Sequence, residues 1–238
     1  MKRAPSSTIH GCERCLPVSL RAVIFDYGMV LTGPPDREAH ANLVRITGLP
    51  AEKLDALYWA DRHAFDEGKL NGHTYWQAIV QQAGLKLSPA AIEDLIRWDA
   101  RLWMTLNPPM LAWADALGAR GIRTAILSNM GDTVLRAMQE EFDWLTRFDA
   151  LVWSYQLQIA KPNPAIYRYT LEKLGTAPDE TLFVDDRSVN VEAAATLGMK
   201  ALVFTTVENL RDDLIAAGFD RELPLPQASD VAKDSSIP

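Results

Sequence analysis

The sequence predicts an α/β protein with a doubly wound parallel sheet and an all-helical domain inserted after the first strand. A short apolar run, Ala22–Phe25, shows no alternation of polar and apolar residues, which is typical of a strand buried on both faces. Residues 34–106 then show helical periodicity and no convincing strand. After residue 107 strands alternate with helices, an order that produces parallel sheets through right-handed crossovers.

The composition is that of an acidic globular protein. Of 238 residues 48% are hydrophobic, and 24 basic side chains stand against 31 acidic ones, giving a net charge of −7. A nucleic-acid binder would carry a basic surface, and no apolar run reaches the roughly 20 residues of a membrane helix. The N-terminus has no apolar segment of the secretory kind. We therefore expect a cytoplasmic protein without a nucleic-acid or membrane partner; the sequence does not predict an oligomeric state.

Residues 1–20 are polar and are predicted to be an N-terminal extension. They contain both cysteines of the chain, Cys12 and Cys15, with His10 just before them. Three soft ligands could hold zinc, but no fourth ligand is evident, and a redox pair would be expected to open a helix after a strand. We interpret the pair as reduced thiols in an extension, with its role open.

The insertion, residues 34–106, is predicted to form four helices separated by Gly and Pro breaks. Its two connections to the core, Gly33–Pro35 and Leu106–Pro109, are the candidate hinges for a movement that opens and closes a cleft. The predicted helices are Asp36–Thr47, Ala51–Phe65, Gly72–Ala83 and Pro89–Trp103.

The α/β core is predicted to comprise residues 21–33 and 107–220, followed by a C-terminal tail over 221–238 that is expected to be loose from Leu225 onward. Glycines after three of the predicted helices are signals for a helix C-terminus. The predicted strands after the first are Arg123–Leu127, Ala150–Ser154, Thr181–Val184 and Lys200–Phe204. The predicted helices of this part are Met110–Arg120, Asp132–Glu141, Pro164–Leu174, Val189–Leu197 and Val207–Ala217.

Polar residues follow four of the predicted strands. The carboxyl ends of parallel strands share one edge of the sheet, where open α/β sheets bind their ligands. Each residue alone is more simply explained as a cap or a surface charge, but all four positions in this order favour one shared site. The residues are Asp26, Ser128 with Asn129, Lys161, and Asp185 with Asp186 and the nearby Asn190.

These stretches resemble the motifs of the haloacid dehalogenase-like hydrolase superfamily, in the branch with a helical cap inserted after the first strand. FDYGMVLT resembles its nucleophile loop, ILSN its second motif, KPNPAIY its third and FVDDRSVNVEAA its fourth. The cap segment FDEGKL, followed by Tyr75-Trp76, resembles a recurrent cap pattern. The resemblance covers Arg21 to Phe219 and implies a Rossmann-like core with an all-helical cap domain.

The resemblance implies a magnesium-dependent phosphatase that forms an aspartyl-phosphate on Asp26. Ser128 and Asn129 would hold phosphoryl oxygens, and Lys161 would neutralise charge on the nucleophile and the phosphoryl group. The Mg²⁺ ligands would be Asp26, the Gly28 carbonyl, and Asp185 or Asp186. The residues support this independently, because two carboxylates about 4 Å apart repel by about 4 kcal/mol at an effective dielectric near 20, which a hard divalent cation relieves.

The sequence departs from the usual phosphatase motif at Gly28, where most relatives carry a second Asp as general acid and base. Loss of such a group usually costs about 10²–10⁴-fold in rate. A cap residue could substitute, and a cluster over residues 62–67 is the candidate source. In it Arg62 is predicted to bind substrate, and Arg62, His63, Asp66 and Glu67 could each face the cleft. A solvent-facing position is the simpler explanation for each of them, more so for His63 and Glu67 than for Asp66.

The predicted substrate is therefore a small-molecule phosphate ester, with sugar phosphates as one candidate class. Two alternatives remain open at this stage. Gly28 is also compatible with a 2-haloacid dehalogenase, which uses an Asp nucleophile without the second Asp and without metal, although adjacent Asp185 and Asp186 argue against it. A non-catalytic module that binds a phosphorylated ligand is the other alternative.

Overall fold

The computed structural model describes residues 19–227, and the Cys12–Cys15 question lies outside that range. Five parallel strands form one sheet, in the order β3-β2-β1-β4-β5. Because β1 lies in the centre and the chain continues to β2 on one side and β4 on the other, the carboxyl end of β1 is the switch point of the sheet. The predicted fold class is confirmed. The strands are β1 (Ala22–Phe25), β2 (Arg123–Ser128), β3 (Ala150–Trp153), β4 (Thr181–Asp185) and β5 (Lys200–Val203).

Both faces of the central strand are buried. Val23 and Phe25 lie in one apolar cluster, and Ala22 and Ile24 lie in another. This explains why β1 reads as a continuous apolar run. The layers that cover the sheet come from α6 (Pro108–Ala119), α7 (Asp132–Glu141), α8 (Ser154–Leu157), α9 (Pro164–Leu174), α10 (Ser188–Thr196) and α11 (Val207–Ala216).

The cap has an apolar core of its own, built around Leu43, Tyr75, Trp76 and Leu95. The single helix predicted over Ala51–Phe65 is two helices, because the chain breaks at Asp61 (φ −109°, ψ 11°). No Gly or Pro marks this break in the sequence, so local signals did not predict it. The cap helices are α1 (Arg37–Thr47), α2 (Ala51–Ala60), α3 (Arg62–Asp66), α4 (Gly72–Gln82) and α5 (Pro89–Leu102).

The packed part of the chain extends beyond the predicted boundary at residue 220. Leu223 is buried in the core, and Trp113 Nε1 donates a hydrogen bond to the Pro224 carbonyl at 2.6 Å. Leu20 N donates to Glu222 Oε2 at 2.6 Å, so this segment also ties down the approach to β1. The sequence did not predict this packing, because a single buried leucine gives no periodic signal. Within residues 19–227, no helix combines the length and apolar character needed to cross a bilayer.

The cap closes onto the core near α3 and α8. The Ser154 hydroxyl donates to the Asp66 carbonyl, and Gly72 N donates to Asp132 Oδ1 at 3.0 Å. Gly68 has φ +76°, and a Cβ there would lie only 2.4 Å from the Tyr155 carbonyl oxygen. The backbone conformation and the close approach both require glycine at this contact.

Substitution of Gly68 by alanine is expected to destabilise this contact. A left-handed backbone alone costs an L-residue about 1–2 kcal/mol, and the collision with Tyr155 adds to that cost. The matched control is Gly84→Ala, since Gly84 has a similar φ of +70° and no atom within 4 Å of the added Cβ. Urea unfolding at equilibrium should show a clearly larger decrease in the free energy of unfolding for Gly68→Ala than for Gly84→Ala. Equal losses in the two variants would contradict the assigned contact.

Candidate active site

Asp26 follows the central strand and lies at the switch point. Its backbone N–H donates to the Val184 carbonyl at 2.9 Å, which continues the ladder between β1 and β4. Its Oδ1 accepts hydrogen bonds from Tyr27 N at 2.6 Å and is 2.9 Å from Lys161 Nζ. No residue within 19–227 donates a hydrogen bond to Oδ2. One oxygen is therefore fixed in place, and the other is available to react.

Gly28 lies in the turn that follows β1, but the turn does not depend on glycine at this position. Its φ of −62° is open to any residue, and it is Met29 that takes a left-handed conformation with φ 62°. Met29 N donates to Thr32 Oγ1 at 3.1 Å, which closes the turn. A Cβ on Gly28 would find only the ring of Trp103, at 3.9 Å. The backbone thus does not require glycine there, and the cap indole covers the space beyond it.

Lys161 reaches the site from a loop, not from the end of a strand as the sequence was interpreted. The loop follows α8 and is held by Asn129, whose side chain accepts from Lys161 N and donates to Lys161 O, both at 2.8 Å. The buried Nζ lies 2.7 Å from Asp185 Oδ2 and 2.9 Å from Asp26 Oδ1. Asn129 lines the site, but its side-chain contacts serve to position Lys161; a direct contact with substrate stays a prediction.

Asp185 and Asp186 have different environments although they are adjacent. Asp185 Oδ1 accepts from Arg187 N and from Asn190 Nδ2, each at 2.9 Å, and its Oδ2 accepts from Lys161. It does not line the open space of the site, whereas Asp186 does. The geometry makes Asp185 the residue that holds Lys161 and leaves Asp186 accessible to a ligand.

Three carboxylates and one ammonium group lie together in the buried site, and burial and their mutual charges shift their pKa values. Burial raises the pKa of Asp26 against the opposing effect of Lys161, and the charges of Asp185 and Asp186 raise it further. Burial alone would favour a neutral Lys161, but Asp26 and Asp185 raise its pKa above the ordinary value, so it stays charged. Burial and the neighbouring Asp185 raise the pKa of Asp186. An additional positive charge at this cluster would stabilise the ionised carboxylates.

The three carboxylates lie close enough together for a metal ion to bind between them. Asp26, Asp185 and Asp186 each offer an oxygen, and these oxygens lie within 4.8 Å of one another. An all-oxygen donor set of carboxylates suits Mg²⁺, which usually takes one or two carboxylates and fills its other positions with waters and substrate oxygens. The residues present therefore fit the metal that the sequence predicted. The Gly28 carbonyl as a further ligand stays a prediction.

A cavity of about 310 Å³ lies over these residues and under the cap. Ser128, buried at the end of β2, lines it, and its side chain forms no hydrogen bond with another residue of the described part. From the core, the residues at this cavity include Asp26, Gly28, Met29, Ser128, Asn129, Lys161 and Asp186, and from the cap side they include Trp59, Arg62, Asp66 and Trp103.

Arg62 enters the cavity from the cap with its charge already paired. Its Nε donates to Asp66 Oδ1 at 2.9 Å, and its Nη1 lies 3.3 Å from Asp99 Oδ1 and also contacts the Tyr58 hydroxyl. The guanidinium packs over the rings of Tyr58 and Phe65. Its surroundings identify Arg62 as the anchor of a buried polar network; binding of substrate by Arg62 stays a prediction.

The other residues of the predicted cap cluster point elsewhere. The His63 side chain is 68% exposed, and Glu67 pairs with Lys69 Nζ at 2.5 Å. Neither lines the cavity, whereas Asp66 does.

The sequence did not predict two contacts of the site, that of Trp103 with Gly28 and that of Ser154 with Asp66. No local motif marks either residue, since both contacts join segments far apart in the chain.

The fold and the site together define a hydrolase of the capped, doubly wound α/β type, with a carboxylate at the end of its central strand. Residues 20–198 match the family described as haloacid dehalogenase-like hydrolase, so the chain belongs to that family.

The curated proteins that this chain is similar to carry the names of different activities. The chain is 27% identical to Phosphatase MT3486 of Mycobacterium tuberculosis over 83% of this chain and 93% of that protein. It is 28% identical to (S)-2-haloacid dehalogenase 4A of Burkholderia cepacia, over 77% of this chain and 82% of that protein. It is also 28% identical to mouse Bifunctional epoxide hydrolase 2, over 88% of this chain, which spans only 41% of that protein's length.

A solved structure shares the fold. A HAD family enzyme of Bacteroides thetaiotaomicron, crystallised with magnesium and inorganic phosphate, superposes with a TM-score of 0.65 over 79% of this chain and 95% of its own, at 22% identity.

Proposed function

We propose that this protein is a Mg²⁺-dependent phosphatase that hydrolyses a small-molecule phosphate ester through an aspartyl-phosphate on Asp26. The observation that carries the proposal is the cluster of Asp26, Asp185 and Asp186 oxygens within 4.8 Å at the switch point of the sheet. Such a cluster suits a divalent cation that also binds phosphate oxygens. The phosphatase and the magnesium- and phosphate-bound enzyme among the similar proteins support it.

The residues of the site have separate roles in the proposed reaction. Oδ2 of Asp26 attacks phosphorus while Oδ1 is held by Tyr27 N and Lys161 Nζ. The Ser128 hydroxyl and Lys161 Nζ stabilise the oxygens of the transferring phosphoryl group. Asp26 and Asp186, with the Gly28 carbonyl, would hold Mg²⁺, which supplies charge neutralisation at the phosphoryl oxygens. Water then hydrolyses the aspartyl-phosphate and frees Asp26.

Removal of metal is expected to stop the reaction. Inorganic phosphate release from p-nitrophenyl phosphate and from a panel of sugar phosphates should be measured in Mg²⁺, in EDTA, and in EDTA followed by excess Mg²⁺. We expect activity in Mg²⁺, loss in EDTA and recovery on addition of Mg²⁺, because the carboxylate cluster needs the cation to accept an anionic ester. Full activity in EDTA would contradict the proposal.

A metal-free dehalogenase is the second candidate, favoured by Gly28 and by the haloacid dehalogenases among the relatives. It would use the same Asp26 to displace halide from a 2-haloacid. The assay is halide release from 2-chloropropionate in EDTA. Halide release there, with no phosphate release from any ester, would replace the phosphatase proposal, and inactivity in both assays would favour a non-catalytic phospho-ligand-binding module.

A further inference from the structure

The proposed reaction lacks a proton donor on the core side of the site. The leaving oxygen of an ester needs a proton unless it is a weak base, and a positioned acid contributes about 10²–10⁴-fold. Residue 28 has no side chain to supply it. Burial raises the pKa of Tyr27 far above its usual value, and its hydroxyl already donates to the Trp103 carbonyl at 2.7 Å. The remaining ionisable side chains at the cavity are Asp26, Arg62, Asp66, Lys161, Asp186 and Arg187.

Of these, only Asp66 is a carboxyl outside the nucleophile and metal cluster. It ends α3 and lies at the cap wall of the cavity, with its side chain 15% exposed. Its backbone carbonyl accepts from the Ser154 hydroxyl, and two residues later Gly68 meets the backbone of Tyr155. The core itself therefore fixes the segment that carries the carboxyl.

The Arg62 guanidinium contacts two carboxyls, Asp66 and Asp99, and these two carboxyls differ in the number of hydrogen bonds they accept. Asp99 is fully buried and accepts from Tyr58 OH at 2.7 Å, from Trp76 Nε1 at 3.1 Å and from Arg62 Nη1 at 3.3 Å. Asp66 accepts only the bond from Arg62 Nε, and within residues 19–227 nothing donates to its Oδ2. A proton bound by this network therefore belongs on Asp66, at the oxygen that is not engaged by Arg62.

We infer that Asp66 is the general acid and base of this site, supplied by the cap in place of a side chain at position 28; the inference rests on the proposed phosphatase function. In the first step the Asp26 Oδ2–phosphorus bond forms, the bond from phosphorus to the leaving oxygen breaks, and that oxygen takes the proton of the Asp66 carboxyl. In the second step the Asp66 carboxylate takes a proton from water as the water oxygen attacks phosphorus and the bond to Asp26 breaks. Asp66 is then protonated again.

The leaving group provides the test. Wild-type protein, Asp66→Asn and the control Glu67→Gln should be compared on p-nitrophenyl phosphate, whose leaving group needs little protonation, and on propyl phosphate, whose leaving group needs it. Asn keeps an acceptor for Arg62, and Glu67 is the adjacent carboxylate outside the cavity. We expect Asp66→Asn to lower kcat/KM for propyl phosphate by about 10²–10⁴-fold and for p-nitrophenyl phosphate by less than about tenfold. Glu67→Gln should change neither, and Asp66→Glu should restore part of the propyl phosphate activity.

The pH profile gives a second readout. Burial raises the pKa of Asp66 to about 6, while Arg62 and His63 lower it and Asp99 raises it; Asp26, Lys161, Asp186 and Arg187 face it across the cavity. A general acid must be protonated, so wild-type kcat/KM on propyl phosphate should fall as the pH rises through about 6. The Asp66→Asn variant should lack this fall.

Equal losses on the two esters would overturn the inference, because a merely structural Asp66 would not distinguish leaving groups. An unchanged pH profile in Asp66→Asn would overturn it as well. Turnover of p-nitrophenyl phosphate by the wild-type protein tests the proposed function separately. If the wild-type protein releases no phosphate from any ester, the proposed function fails and the role of Asp66 fails with it.

Discussion

Replacement of Asp26 by Asn is expected to abolish phosphate release while leaving the protein folded. The amide nitrogen and oxygen of Asn do not attack phosphorus as a carboxylate does, so the loss of kcat should be at least about 10⁴-fold, as is usual when a nucleophile is removed. Asn also replaces a carboxylate that burial keeps costly, since the pKa of Asp26 is raised in the folded protein. At neutral pH the ionised carboxylate therefore destabilises the folded state relative to the unfolded one. Below the pKa that Asp26 has in the unfolded chain, the carboxyl is protonated in both states and this destabilisation disappears.

The Asp26→Asn variant should therefore melt, in EDTA, at the same temperature as the wild-type protein or above it. The measurements are phosphate release from p-nitrophenyl phosphate and thermal unfolding at pH 7. A folded Asp26→Asn variant with wild-type activity would remove Asp26 from the mechanism. A variant that fails to fold would show that the carboxylate has a structural role as well.

Replacement of Lys161 by Met is expected to destabilise the protein and to inactivate it. Met has a similar length but leaves Asp26 and Asp185 without the cation that lies 2.9 Å and 2.7 Å from their oxygens. Breaking a buried ion pair by removal of one partner typically costs about 3–5 kcal/mol. Without Lys161 the pKa values of both carboxyls should rise, so the variant should regain stability as the pH is lowered and the carboxyls take up protons.

Urea unfolding in EDTA at pH 7 and at pH 5 tests this, together with unfolding at pH 7 in Mg²⁺. The decrease in the free energy of unfolding of Lys161→Met should be largest at pH 7 in EDTA. Protons at pH 5 and Mg²⁺ at pH 7 each replace part of the positive charge of Lys161. Lys69→Met is the control, since Lys69 is 66% exposed and an ion pair of an exposed lysine contributes at most about 1 kcal/mol. A loss for Lys161→Met no larger than that of the control would show that Lys161 does not hold the cluster together.

The two variants separate the chemistry of the site from its stability. Asp26→Asn removes the nucleophile and relieves a buried charge, whereas Lys161→Met removes the charge that makes the carboxylates tolerable. The double variant Asp26→Asn/Lys161→Met should thus be more stable than Lys161→Met alone. The full cycle of the wild-type protein, the two single variants and the double variant measures how strongly the two side chains are coupled.

The sequence by itself determined the fold class, and it predicted which core residues meet near the end of the central strand. The apolar run of β1 and the alternation of strands and helices after residue 107 are short-range signals, and a parallel sheet necessarily brings its strand ends to one edge. Asp26, Ser128 and Asp186 consequently lie at one cavity, as predicted. Their chemical roles stay proposals.

Only the tertiary structure decided how those residues are held and what faces them. That Lys161 reaches Asp26 through a loop held by Asn129, and that Asp185 holds Lys161 while Asp186 stays accessible, depend on distances that no local pattern contains. The cap gives the clearest case. Arg62, His63, Asp66 and Glu67 form one polar cluster in the sequence, and the break at Asp61 with the packing of Gly68 on Tyr155 turns Asp66 into the cavity and His63 into solvent. Side-chain direction in a short helix is set by the long-range contacts of its ends, and those contacts appear only when the chain is folded.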